Sequence, residues 1–237
     1  MNPTTGVILI HGAGLGRFIW REVMPLIPYP TVAIDFPHRE TGDQANRYLS
    51  WDDYLTDILQ QINAWDQGYD ELVVVAHSIG GGIALALHHH LGERMRGLMG
   101  IGAAFPASGR SFISCLPVPQ RQIMPLLLRI VGTKPPASSL GNELGHDLPD
   151  ELRDEVIRRF TPESRQLYTA PVHYSSLPPS RQYLTLTDDR AFSTRVQERM
   201  IAQLAPHTTA SLPSGHLPMM SHPKAVAEII STFVGQS

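Results

Sequence analysis

Four short segments of this 237-residue chain carry residue types that could cleave a polar bond. The first is Val73-Val74-Val75-Ala76-His77-Ser78-Ile79-Gly80-Gly81-Gly82. A β-branched run feeds directly into a serine, then into small residues, then into an apolar helical pattern. That order reads as a strand–turn–helix elbow, whose sharp turn strains the serine backbone and lifts its Oγ above the sheet edge. Ala76 and Gly80, two before and two after Ser78, are small enough to let strand and helix approach. Ala76 departs from the usual glycine by one methyl group. The Ile79 N–H would stand at a helix N-terminus, where partial positive charge favours an oxyanion. An ordinary strand-to-helix turn capped by a serine is the bland alternative.

The second segment, Ile8-Leu9-Ile10-His11-Gly12-Ala13-Gly14-Leu15-Gly16, follows an apolar run, and its glycines let backbone approach a ligand closely. In one reading the Ala13 N–H is a second oxyanion donor. The rival is a dinucleotide-binding turn, with Gly12, Gly14 and Asp35 mimicking part of that fingerprint. The spacing is G-x-G-x-G rather than G-x-G-x-x-G, and that rival leaves Ser78 without a role.

The third and fourth segments lie late in the chain. Leu212-Pro213-Ser214-Gly215-His216-Leu217-Pro218 puts a histidine in a loop after the last predicted strand, at the sheet edge where ligand sites gather. Tyr183-Leu184-Thr185-Leu186-Thr187-Asp188-Asp189-Arg190 ends a strand on two adjacent carboxylates. One of them could orient His216 as a base; on spacing alone either would serve, and the other would be a solvated turn residue. Serine, carboxylate and histidine in that order make a nucleophile, an orienting acid and a general base.

Other features take bland readings. His88-His89-His90 cannot converge on one ion, because successive helical residues point in different directions. Cys115 is the only cysteine, so no intrachain disulfide can form, and it reads as a small apolar residue. Leu126-Leu127-Leu128 and Met219-Met220 read as core or pocket wall.

These segments need a frame to hold them together. Short apolar runs at Gly6–Ile10, Thr31–Asp35, Leu72–Ala76, Gly97–Gly102, Gln182–Thr187 and Thr208–Leu212 are the strands that a sheet covered on both faces demands. Helical patterns at Ile19–Leu26, Ser50–Trp65, Ile79–Leu91, Arg195–Leu204 and Lys224–Val234 alternate with them, with Ser50 as an N-cap and Pro223 in a first turn. The alternation predicts an α/β fold, a doubly wound and mostly parallel sheet with right-handed crossovers. It breaks between Phe105 and Leu177, where helical patterns at Gln120–Val131 and Pro149–Phe160 stand without a strand. Residues 105–177 are therefore expected to be an inserted helical cap over a core of residues 1–104 and 178–237.

Composition sets limits on partners. The net charge of −3 offers no basic patch for nucleic acid, and no Lys/Arg run marks a membrane surface. The apolar runs fall far short of the ~20 residues of a spanning helix. With no basic-then-apolar leader visible, the default location is cytoplasmic.

Taken together the motifs resemble one family. The chain is similar to α/β-hydrolase-fold serine esterases of the plant methylesterase and hydroxynitrile lyase branch and its bacterial relatives. VILIHGAGLGRFIW resembles that branch's first strand and His-Gly loop, AHSIGGG its nucleophile elbow, YLTLTDDRAF its acid loop and SGHLPMMSHP its histidine loop. The resemblance implies that the second acidic residue, Asp189, is the triad acid and that His216 is the base. It covers the sheet at both ends of the chain and is weak from Phe105 to Leu177. Lyases of the branch carry threonine after the first-loop histidine and lysine after the catalytic histidine. Here those positions are Gly12 and Leu217, so the sequence resembles the esterase side.

The expected reaction is hydrolysis of a small or medium carboxylic ester, aromatic and methyl esters among the candidates. Ser78 attacks, His216 and Asp189 handle the proton, Ala13 and Ile79 bind the oxyanion, and an acyl-enzyme is cleared by water. No metal or cofactor is needed. Gly12, Leu15, Phe105, Phe112, Leu116 and Leu217 are the candidate pocket residues. The expected partner is a small-molecule ester, with a homodimer an open alternative for the assembly. Other outcomes on the same triad are a hydroxynitrile lyase, thioester or C–C bond hydrolysis, and slow-turnover ligand binding.

Overall fold

In the computed structural model, which describes residues 4–39 and 45–237, all six predicted apolar runs are strands, with ends shifted by at most two residues. They are β1 (Thr5–Ile10), β2 (Thr31–Ile34), β3 (Glu71–His77), β4 (Met95–Ile101), β5 (Ser180–Leu186) and β6 (Thr208–Leu212). The helices are α1 (Trp51–Trp65), α2 (Gly80–Leu91), α3 (Gln120–Ile130), α4 (Ala137–Glu143), α5 (Asp150–Arg159), α6 (Arg165–Thr169), α7 (Thr194–Leu204), α8 (Pro218–Ser221) and α9 (Pro223–Val234).

The strands form one sheet in the order β2-β1-β3-β4-β5-β6, and every pairing is parallel. Strand side chains alternate between two apolar layers. Ile8 and Ile10 of β1 pack with α1, α2 and α7, whereas Val7 and Leu9 pack with α9 and the residues Phe18–Trp20. β1, β3 and β4 are buried on both faces and read as near-continuous apolar runs, whereas the edge strand β6 is largely exposed. Each fully buried Val, Leu or Ile contributes roughly 1.5–3 kcal/mol to holding these layers together.

Chain direction reverses its lateral progress between β1 and β3, which are paired through Ile10 and Ala76 at their C-terminal ends. Loops leaving such a switch point diverge and open a crevice, the usual place for a ligand in an open parallel sheet. The loop after β1 and the elbow after β3 both start there. At the other end of the site, Leu186 of β5 pairs with Leu212 of β6, so the acid and histidine loops leave side by side.

Side-chain caps start two of the helices, α1 and α6. Ser50 Oγ accepts the Asp53 N–H at 3.1 Å and Asp53 Oδ2 accepts the Ser50 N–H at 2.7 Å, a reciprocal cap on α1. The expected helix at Ile19–Leu26 is instead two 3₁₀ turns, Arg17–Trp20 and Met24–Leu26. Pro25 explains the break: it lacks an N–H and its ring crowds the preceding turn.

Between β4 and β5 the chain forms α3, α4, α5 and α6, where two helical patterns were expected. The additional pair, α4 and α6, span seven and five residues, too short to show a helical period. Ser164 caps α6 by accepting the Leu167 N–H at 3.3 Å.

Candidate active site

Ser78 sits at the end of β3 with φ of +55°, a left-handed conformation that a non-glycine residue adopts at a cost of about 1–3 kcal/mol. The backbone over-determines it. The Ser78 carbonyl accepts the Ala104 N–H at 2.8 Å and the Gly81 N–H at 3.2 Å. A Cβ on Gly80 would stand 2.8 Å from the His11 carbonyl oxygen, so the start of α2 lies directly against the loop after β1. That Cβ would also stand 3.0 Å from Ile10 Cγ2, so the missing side chain lets α2 approach the end of strand β1 as well as this loop.

That loop is oriented by His11. Its ring Nδ1 lies 2.7 Å from the Gly12 carbonyl oxygen, and its Nε2 accepts the Phe36 N–H at 3.0 Å. The Phe36 N–H can only donate, so Nε2 is bare and Nδ1 carries the hydrogen. Burial, then the nearby Arg39 charge, hold the His11 pKa well below the usual histidine value, which keeps the ring neutral. The Gly12 carbonyl and the Ala13 N–H belong to one planar peptide and point in opposite directions. Holding the carbonyl back toward His11 therefore turns the Ala13 N–H outward. Among the described residues neither the Ala13 nor the Ile79 N–H donates to a protein acceptor. A Cβ on Gly12 would lie 2.8 Å from Ser78 Cβ, so this loop passes beside Ser78.

His216 and Asp189 are both buried, and His216 Nδ1 lies 2.8 Å from Asp189 Oδ2. Asp189 Oδ1 accepts the Ala191 and Phe192 N–H groups at 2.8 and 2.9 Å. Burial raises the Asp189 pKa, but the His216 ring and these two N–H groups outweigh it and hold the carboxyl below its ordinary value. Asp188 is exposed, and among the described residues its side chain bonds only Thr187 Oγ1, at 3.5 Å. The geometry thus pairs Asp189, and not Asp188, with His216. Gln197 of α7 braces the acid loop, bonding the Leu186 N–H and the Leu186 and Phe192 carbonyls at 2.8–2.9 Å.

Ser78 and His216 are joined through His77. Its Nε2 lies 2.8 Å from the His216 carbonyl oxygen, and the two rings are 4.6 Å apart. The Ser78 Oγ makes no protein hydrogen bond among the described residues. The histidine loop is also held from the segment between β4 and β5: Asp147 Oδ2 accepts the Gly215 N–H at 2.8 Å. His77, Gln197 and Asp147 went unassigned in the sequence. His77 alone carried a local signal, its place beside Ser78 on a buried strand.

The candidate pocket residues separate. Leu15 and Leu217 are buried in the core layer that holds α9. Phe105 is corrected from pocket wall to core: its backbone N–H meets Met200 Sδ at 3.2 Å, and its ring stacks edge-on to Tyr183 at 6.2 Å. Its ring packs against Gly81 of α2 and Gly100 of β4, within the core layer. Leu116 is buried in the same layer. Phe112 is half-buried and connects to His216 through Phe192, which stands 6.0 Å from Phe112 and 5.6 Å from the His216 ring. Two cavities of about 530 and 510 Å³ lie beside α3 and α6, and neither is lined by Ser78, Asp189 or His216. Cys115 is buried, and burial pushes its thiol up to about 12, which removes it as a nucleophile near neutral pH.

A doubly wound parallel sheet with a strained serine after β3 and a histidine–carboxylate pair after its last strands defines a hydrolase of the α/β class. The chain belongs to the alpha/beta hydrolase family, whose model matches residues 7–229. A pyrethroid hydrolase of Sphingobium wenxiniae is 25% identical over 250 residues, covering 97% of this chain and 87% of that protein. A carbendazim hydrolyzing esterase of a Nocardioides species is 25% identical over 179 residues, covering 70% of this chain and 72% of that protein. Among solved structures, an extracellular α/β-hydrolase from a Paenibacillus species, described as a homologue of tobacco salicylic acid binding protein 2, superposes with a TM-score of 0.83. It is 17% identical and covers 97% of this chain and 98% of its own.

Proposed function

We propose that this protein hydrolyses carboxylic esters through an acyl-enzyme on Ser78. The observation that carries the reading is the buried His216–Asp189 pair at the sheet edge that also holds the strained Ser78. Ser78 Oγ attacks the ester carbonyl carbon as His216 Nε2 takes its proton. Asp189 fixes the ring with its hydrogen on Nδ1 and stabilises the imidazolium. The carbonyl oxygen, now an alkoxide, accepts from the Ala13 and Ile79 N–H groups, each contributing about 3–4 kcal/mol. As the tetrahedral intermediate collapses, the C–O bond to the alcohol breaks and His216 returns the proton to the leaving oxygen. Water, deprotonated by the same ring, then cleaves the acyl-enzyme and restores Ser78.

For the substrate we favour an apolar ester with an aromatic or similarly bulky group. The ring series His216, Phe192, Phe112, Tyr168, with neighbouring centroids 5.6–6.0 Å apart, supports this, as does the relative named for pyrethroids. The insertion between β4 and β5 would then act as the cap that selects it.

The test is direct. Wild-type protein should turn over p-nitrophenyl acetate many times, and S78A should lose that activity by several orders of magnitude while melting normally. A fluorophosphonate should label Ser78. A label on another residue, or an active S78A, would end this reading.

A further inference from the structure

The turnover reading leaves unexplained a buried cluster on the far side of the oxyanion loop. Glu163, in the stretch between α5 and α6, is 2% exposed. Its Oε1 accepts the Gly14 N–H at 3.0 Å and pairs with Arg39. Its Oε2 accepts from the Tyr54 hydroxyl at 2.9 Å and from Asn46 Nδ2 at 3.3 Å. A buried carboxylate with this many donors is held in one place. Tyr54 in turn accepts the Ser164 N–H at 2.9 Å, so the inserted segment is tied to α1 of the core.

The contact falls one peptide beyond the proposed donor. Gly14 has φ of +74°, and a Cβ there would lie 2.0 Å from the Phe160 ring. The Gly14 carbonyl accepts the Thr161 N–H at 2.9 Å. The segment 160–163 therefore grips Gly14 by its N–H, its carbonyl and its Cα, while His11 grips the Gly12 carbonyl from the core side. The free Ala13 N–H lies between these two grips. Because a peptide is planar, fixing its neighbours on both sides fixes where it points.

The geometry points to Glu163 as a positioning residue for the reaction: it clamps the oxyanion loop from the insertion, so that transition-state stabilisation by Ala13 depends on the insertion being docked. This rests on the ester-hydrolase reading. Glu163 does not touch the reacting atoms. Losing it leaves ground-state binding nearly unchanged and loosens a donor that matters when the oxyanion forms.

The experiment compares wild type, E163A and E163Q, each checked for a cooperative melt. E163A should lose kcat by roughly 10- to 100-fold, the scale of a donor displaced by up to an ångström, with KM within about 3-fold of wild type. E163Q keeps an oxygen for the Gly14 N–H and should recover most of that kcat. Inhibition by an aryl trifluoromethyl ketone, whose tetrahedral adduct uses the oxyanion donors, should weaken in E163A by the factor lost from kcat/KM. Full kcat in folded E163A, or a loss expressed only in KM, would overturn the inference. If E163A does not fold, amide exchange in the wild type decides: the Gly14 N–H should exchange far more slowly than that of Ala13, and equal rates would overturn the clamp. Absence of S78-dependent ester turnover in wild type would sink the hydrolase reading instead, and amide exchange would still test the clamp.

Discussion

The ring of His77 reaches 2.8 Å to the main-chain carbonyl of His216, so the residue just before the candidate nucleophile holds the backbone of the candidate base. Nε2 must carry the hydrogen in this bond, because a carbonyl only accepts. Burial, followed by the neighbouring His216 charge, drives the His77 pKa well below the usual histidine value, and the ring stays neutral. His77→Leu should leave that buried carbonyl unpaired and cost about 1–3 kcal/mol of stability. It should also lower kcat more than it raises KM, with His77→Gln restoring part of the loss through its amide N–H. A folded His77→Leu with unchanged kcat would remove His77 from the positioning machinery.

The two aspartates should separate sharply. Asp189→Asn presents an amide where a carboxylate accepts the His216 Nδ1–H, which favours the wrong tautomer, and losses on the order of 10⁴-fold are expected. Asp188→Asn alters an exposed side chain and should change kcat/KM by less than about 3-fold, in line with surface substitutions generally. Steady-state kinetics on both variants checks this, and a larger effect at position 188 would reverse the assignment.

Acid should destabilise the protein earlier than carboxylate titration would. His11 and His77 both have native pKa values well below 6.5, so below that pH the unfolded chain binds protons that the native state does not. Stability from these two groups is complete above about pH 6.5 and falls as pH drops, by about 1.4 kcal/mol per pH unit for each histidine. Asp189, whose native value is lowered, adds a loss only further down, as pH falls through the carboxylate range. Urea unfolding at pH 7.5, 6.5, 5.5 and 4.5 measures the slope. His77→Gln should reduce it by one proton's worth, and a flat profile from 6.5 to 5 would contradict the buried neutral state.

Esterase and lyase chemistry should also part. Leu217, directly after His216, is fully buried in an apolar layer and provides no cation for a departing cyanide. An unpaired anion in such surroundings costs several kcal/mol. Wild-type protein should hydrolyse p-nitrophenyl acetate and release little cyanide from mandelonitrile. Efficient cyanide release with negligible ester turnover would replace the hydrolase reading with the lyase one.

Local pattern by itself determined the frame and the identity of its chemical residues. Short apolar runs bounded by turn residues marked all six parallel strands; β1, β3, β4 and β5 lie inside the sheet, and β2 and β6 form its edges. The elbow at Ser78, the glycine loop at His11–Gly16 and the histidine loop at His216 are punctuation between such strands, legible because turns and strands leave signatures within a few residues. Folding alone decided what those signatures leave open. Adjacent Asp188 and Asp189 have the same chemistry, and only the exit direction of β5 aims one of them at His216. Phe105 is apolar in any context, and only the packing of α2 against β4 takes it into the core. Glu163 and Gly14 lie 149 residues apart, and His77 and His216 lie 139 apart. No local periodicity encodes such pairs, because each depends on where two separately formed elements come to rest against each other.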